Sequence, residues 1–348
     1  MLHAVAARYL LMAGRHEEVL SFRKEFDAAP SPEFANVLSM AYVLHGNALL
    51  DRAKATADVE QADHIFTEAT AMYESAIAVK PDRSEALHNW GNLLLDEAKR
   101  ATGAFAEQLF SNAEEKYRQA IGLDPKRHEV LVNWGNLLLD RAKGSATVET
   151  ARAFFSEAEK KYQAALDLEP DLPSVMISWG NLLLDRGKSE QGEDALRLFR
   201  AAEDKYKAAL ERRPNMHEAF SQWGNVLLDQ AKHMDGAGSE QLFDAAEARF
   251  KAALVIKPDM YDALNNWGNV LLDRAKRHEP HNRRDFFVAA EKKYEEALRI
   301  RPGAPDVLRN LSNLYRDWSA VTEGAESSEL ASKADDANAR AHAEQRKA

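Results

Sequence analysis

The chain has 348 residues, 45% of them hydrophobic, and carries 46 Lys and Arg against 56 Asp and Glu for a formal charge of -10. That balance argues against general affinity for nucleic acid or an anionic membrane, which would need clustered surplus cations, and it favours basic partners. With no cysteine, disulfides, thiolate zinc sites and cysteine nucleophiles are excluded; no apolar run reaches the roughly 18 residues of a membrane span, so a cytoplasmic protein without membrane insertion is expected.

In chain order, residues 2–13 read as a short helix closed by Gly14, and Glu17 to Phe26 as its partner, so that 1–30 forms a short helical hairpin. Ser31 and Pro32 then open a longer helix running through Asn47 to Lys54: serine caps, and proline suits the first helical position, where no amide donor is needed. From here a repeat takes over. Tryptophan falls at 90, 134, 179, 223 and 267, in steps of 44, 45, 44 and 44. Proline at 81, 125, 170, 214, 258 and 302 keeps the same time, and a period between about 20 and 50 residues means a repeat architecture.

Residues 31–302 therefore hold six units of two helices each. In the unit from Lys126 to Pro170, the first helix spans 129–143 and the second 148–168, with Gly144 and Ser145 between them. Along the second helices a phenylalanine precedes an aromatic by seven residues, as in Phe155 and Tyr162, so both rings lie on one face; Ala158 between them lets a neighbouring helix come close. A closing helix lies within 303–322, and 323–348, rich in Ala, Ser, Glu and Lys, reads as a capping helix or a disordered tail.

Gly135, Leu138, Ala158, Tyr162, Ala165 and Pro170 resemble, in order, the signature positions of the tetratricopeptide repeat (TPR) family. The resemblance recurs in phase along residues 1–320. It implies an all-α, right-handed superhelical solenoid of tandem helical hairpins, here with a unit of about 44 residues rather than about 34. It also implies a protein–protein interaction scaffold rather than an enzyme, with the first helix of each hairpin lining a concave groove.

One narrow strip of each first helix is polar. Stepping 100° per residue gathers Glu129, Asn133, Asn136, Asp140 and Lys143 into one arc, while apolar residues take most of the rest. The central asparagine is Asn47, Asn92, Asn136, Asn181, Asn225, Asn269 and Asn313 in successive units; Asn89, Asn133 and Asn266 stand three residues before it, and Asp140, Asp185 and Asp229 four residues after. A carboxamide both donates and accepts, so this ladder is a candidate site for the backbone of an extended, basic peptide. It resembles the inner-wall asparagines with which some family members hold peptides. Asparagines that bond neighbouring backbone are the structural alternative. Asp140 and Lys143 read as an i,i+3 contact, the tryptophans as core, and replacing Asn136, Asn181 and Asn225 with alanine is expected to leave helicity unchanged. His278 and His281 sit in a turn without a recurring third ligand, so neither metal nor cofactor is expected. The alternative functions are self-association through the chain ends and the targeting region of a larger protein, of chaperone-adaptor or import-receptor type.

Overall fold

The computed structural model describes residues 2–278 and 280–346, and Glu279 and the side chain of His281, from the turn set aside above, lie outside that range. The described residues hold seventeen helices and no strand. They divide into two compact units, Met1–Pro170 and Asp171–Ala348.

The first unit comprises α1 (Leu2–Met12), α2 (His16–Leu20), α3 (Arg23–Ala28), α4 (Pro32–Ala55), α5 (Val59–Val79), α6 (Ser84–Ala98), α7 (Gly103–Leu123), α8 (His128–Gly144) and α9 (Val148–Leu168). Helices α4 and α5, α6 and α7, and α8 and α9 pack as hairpins, and α5 and α7 in turn lie against α6 and α8. The second unit repeats the pattern with α10 (Pro173–Lys188), α11 (Gly192–Arg212), α12 (His217–Lys232), α13 (Ala237–Ile256), α14 (Tyr261–Arg277), α15 (Pro280–Ile300), α16 (Pro305–Ser319) and α17 (Gly324–Gln345).

Two segments differ from or sharpen the sequence reading. Residues 17–26 are not one helix but the short pieces α2 and α3. At the break the Ser21 hydroxyl donates to the Glu18 carbonyl at 2.7 Å, the local side-chain bond by which serine competes with helix continuation. Residues 324–345, where composition left a cap and a disordered tail both open, form α17, which packs on α16 and buries Leu330, Ala334, Ala337 and Ala341.

Caps fix the helix starts: Ser31 accepts from the Phe34 amide at 3.2 Å, Asp58 from Gln61 at 2.8 Å and Thr147 from Thr150 at 3.2 Å. Within a hairpin the helices meet where a glycine faces an aromatic ring. A Cβ built on Gly135 would stand 2.6 Å from Cε1 of Tyr162, and one on Gly224 would stand 2.7 Å from Cζ of Phe250. Glycine is about 1 kcal/mol worse than alanine inside a helix, and the close approach it permits offsets that penalty. In the last hairpin Ser312 takes the glycine's place, and its hydroxyl bonds the Ala334 carbonyl at 2.8 Å.

The rings so enclosed are the centre of the core. Tyr73, Tyr117, Tyr162, Tyr206 and Tyr294 are all sealed from solvent. The tryptophans pack beside them: Trp134, Trp179 and Trp223 are buried, Trp90 and Trp267 half-buried.

Candidate functional site

The asparagine strip is built by the contact just described. Because glycine lets the second helix approach, each buried tyrosine runs under the first helix and its hydroxyl emerges one residue further on, at the central asparagine. In the first unit the tyrosine hydroxyl donates to Asn Oδ1 at 2.8 Å in Tyr73–Asn47 and in Tyr117–Asn92, and at 2.7 Å in Tyr162–Asn136. In the second unit Tyr206–Asn181 and Tyr294–Asn269 repeat the bond at 2.7 Å. Burial, reinforced by nearby aspartates such as Asp140 below Tyr162, pushes these phenols well above their ordinary range, so each stays protonated and is a donor at every ordinary pH.

A second bond ties one hairpin to the next. Asn89 Nδ2 donates to Asn47 Oδ1 at 3.0 Å, and Asn133 Nδ2 to Asn92 Oδ1 at 2.9 Å. In the second unit Asn266 Nδ2 donates to Asn225 Oδ1 at 2.9 Å, and Asn310 Nδ2 to Asn265 Oδ1 at 2.9 Å. The carbonyl half of the central carboxamide is thus consumed by the fold. Among the described residues the Nδ2 groups of Asn47, Asn92, Asn136 and Asn181 make no hydrogen bond, and none of them is a sealed, unbonded atom. These asparagines are half-buried, with the acceptor turned inward and the donor left open. Asn313, in the closing hairpin, is exposed.

Asn225 departs from the pattern because its hairpin carries Phe250 where the others carry tyrosine. It has no phenol beneath it, and its Nδ2 donates to Gln222 Oε1 at 2.6 Å. Asn269 keeps its phenol, and its Nδ2 nonetheless donates to Asn266 Oδ1 at 3.4 Å, so both halves of these two carboxamides are occupied internally.

The aspartate row is paired from hairpin to hairpin. Asp140 meets Lys99 of the preceding first helix at 3.0 Å; Lys54 likewise meets Asp96 at 2.8 Å, Lys188 meets Asp229 at 3.5 Å and Lys276 meets Asp317 at 2.9 Å. Stacking brings a lysine of one hairpin beside the aspartate of the next, which helical spacing alone does not reveal. Asp229 also touches Lys232, at 3.2 Å, so the intrahelical contact occurs there. Asp185 is half-buried. Burial raises Asp273 despite Lys232 at 3.8 Å, so the row is alternately positive and negative rather than acidic.

Two hollows in the second unit lie on this strip. One, of about 440 Å³, is lined by Asn269, Asn310, Asn313, Asp273 and Asp317 with Lys232, Lys276 and Arg316; the other, of about 330 Å³, is lined by Gln222, Asn225, Asn266, Glu218 and Asp262. On the first unit's strip stands His88, buried, with its Nε2 2.8 Å from Asn133 Nδ2. Burial, aided by the positive charge of Arg127, lowers it to about 4, so the imidazole is neutral and accepts.

Sequence reasoning missed a cation over every repeat tryptophan. Lys116 sits 3.5 Å from the Trp90 ring centroid, Lys161 3.6 Å from Trp134, Lys205 3.4 Å from Trp179, Arg249 3.7 Å from Trp223 and Lys293 4.2 Å from Trp267. The signal was present: each cation immediately precedes the seventh-position aromatic, as Lys161 precedes Tyr162. The rings are therefore covered from that side by protein and serve packing.

Residues 78–178 match the family model described as the plant-specific mitochondrial import receptor subunit TOM20. No curated protein matches the sequence. Among solved structures, Pseudomonas aeruginosa pilF aligns over 78% of this chain and 96% of its own, at 15% identity and a TM-score of 0.51. A tetratricopeptide repeat protein from Parabacteroides merdae aligns over 83% of this chain and 98% of its own, at 12% identity and a TM-score of 0.51. At such identities the likeness concerns fold. Consecutive antiparallel pairs, the glycine-to-aromatic contact that closes each pair and these structural neighbours lead to one conclusion: the chain has the tetratricopeptide-repeat fold, an all-α solenoid of helical hairpins built here on an extended unit of about 44 residues.

Proposed function

We propose that the protein is a non-catalytic scaffold that captures an extended segment of a partner protein along the asparagine strip of its first unit, the open Nδ2 groups donating to carbonyls of the partner's backbone. The observation that carries this reading is the asymmetry of the carboxamides. Oδ1 is spent on Tyr162 or its equivalents while, in the first unit, Nδ2 of Asn47, Asn92 and Asn136 has no partner among the described residues. A row of donors without acceptors selects a chain by its carbonyls, which every sequence has, and therefore binds without reading side chains. Preference for a basic partner comes from the exposed first-turn acids Glu129, Glu218 and Asp262 and from the net charge, since the aspartate row is neutralised by lysines.

The family match over residues 78–178 favours one specific version, a receptor for targeting segments. Mitochondrial transit peptides are Arg-rich and poor in acids, which suits an acidic body with backbone donors.

The test separates the two halves of the carboxamide. Asn92→Asp with Asn136→Asp keeps the acceptor for Tyr117 and Tyr162 and removes the donor. Titration of an Arg-rich amphipathic peptide, followed by fluorescence anisotropy at high salt to screen the added charge, is expected to show weakening of roughly 5- to 30-fold, the value of one or two hydrogen bonds at about 1 kcal/mol each. Unchanged affinity would remove the strip from the binding site.

A further inference from the structure

The N-terminal helices bring together two histidines and a carboxylate that no sequence spacing connects. His16 and Glu17 lie on α2 and His45 on α4, which packs against it. One ligating atom from each of the three lies within 4.8 Å of the other two. The imidazole rings are 5.7 Å apart between centroids and inclined at 48°. His45 Nδ1 is 3.6 Å from Glu17 Oε1, beyond hydrogen-bonding reach. Both His16 Nε2 and His45 Nδ1 are sealed from solvent with no hydrogen-bond partner. Two orphaned ring nitrogens facing one carboxylate are unusual, because buried polar atoms are almost always bonded.

We propose that His16, Glu17 and His45 form a site for a borderline divalent metal of the zinc type, which pins α2 to α4. Two imidazoles and a carboxylate are the donor set zinc takes when a fourth position is left for water, and imidazole nitrogen disfavours magnesium and calcium. Zinc bonds of about 2.0–2.2 Å place tetrahedral ligand atoms about 3.4 Å apart. The present separations close to that by rotation of the Glu17 side chain, 72% exposed, and small ring movements. The exposed carboxylate gives the ion its entry path. Because α2 has five residues and buries Val19 alone, a metal joining it to α4 supplies a tether that its own packing lacks. Next to His45, the Gly46–Tyr73 contact already holds α4 to α5, so the ion fastens the end of the array without being required for the repeats.

The test uses the full-length chain with no histidine tag. Zinc chloride is titrated calorimetrically, and cobalt is added separately for the visible absorption of a tetrahedral complex. One equivalent of zinc is expected to bind, and amide hydrogen exchange in residues 16–20 is expected to slow when it does. Loss of an outer-shell partner already costs 10–100-fold in affinity, so His45→Gln or His16→Gln should weaken binding by at least roughly 100-fold. Glu17→Gln, an exposed substitution that leaves the fold intact, should weaken it as well and so guards against a histidine variant that fails to fold. Absence of stoichiometric binding overturns the proposal, as does binding that survives His16→Gln with His45→Gln, because the ion then sits elsewhere, for example at the exposed pair His64 and Glu68.

Discussion

Alanine at Asn136 is expected to destabilise the protein, contrary to what the helical wheel alone suggests, and a double-mutant cycle with Tyr162 measures why. Tyr162 is sealed from solvent, and its hydroxyl donates to Asn136 Oδ1 at 2.7 Å. Tyr162→Phe removes one bond from a site whose remaining partner reaches water, a loss of about 1 kcal/mol. Asn136→Ala leaves a buried phenol with no acceptor, which costs about 1–3 kcal/mol. With both changes nothing polar is stranded, so the double variant should lie at least about 1 kcal/mol closer to the parent than the two single losses added together. Phe250 supplies an internal control. Asn225 has no phenol beneath it and loses the bond from half-buried Asn266 instead, so Asn225→Ala should cost less than Asn136→Ala. Repeat arrays need not unfold in one step, so urea denaturation should be accompanied by hydrogen exchange in α8 and α9. Single effects that add to within about 0.3 kcal/mol, or an Asn136→Ala variant as stable as the parent, would refute the reasoning.

Other expectations follow from the same geometry. Gly135→Ala drives a methyl to 2.6 Å from the Tyr162 ring; overpacking of about 1–3 kcal/mol outweighs the gain in helix propensity of about 1 kcal/mol, whereas Gly122→Ala, with nothing within 4 Å, should be neutral or stabilising, and urea midpoints compare the two. His88, lowered from 6.5 to about 4 by burial, is held neutral by the fold. Its contribution is therefore whole above about 6.5 and is lost as pH falls from there to about 4, by about 3 kcal/mol at most; His88→Gln should flatten that part of the stability profile. Lys161→Gln removes the cation 3.6 Å above Trp134. A loss of about 0.5–2 kcal/mol is expected, together with a shift in the emission of that tryptophan relative to the parent.

The hairpin order and period were legible because Trp, Gly, Asn and Pro recur in phase, and the amide strip because 100° steps gather Asn133 and Asn136 on one side. Which atom of Asn136 is available was not legible. That depends on the Tyr162 hydroxyl, 26 residues away on another helix, and its reach is set by how closely Gly135 lets the helices meet. Charge pairing between hairpins was hidden for a related reason. Lys143 stands three residues from Asp140 on its own helix, but the pairing with Lys99 comes from stacking on the preceding hairpin. The break at Ser21 was hidden because one serine hydroxyl, rather than a Gly or Pro signal, interrupts the apolar pattern. His16 and His45 lie on different helices, with α3 and the first half of α4 between them in the chain, and share no motif, so their meeting is a property of the fold alone.

The second unit holds two silent rungs. Asn225 spends both ends of its amide on Gln222 and Asn266, and Asn269 spends both of its own on Tyr294 and Asn266. On the proposed reading, a polypeptide lying along the second unit would be held at Asn181 and would then cross two hairpins without a donor from the central row, so it should be most mobile over α12 and α14.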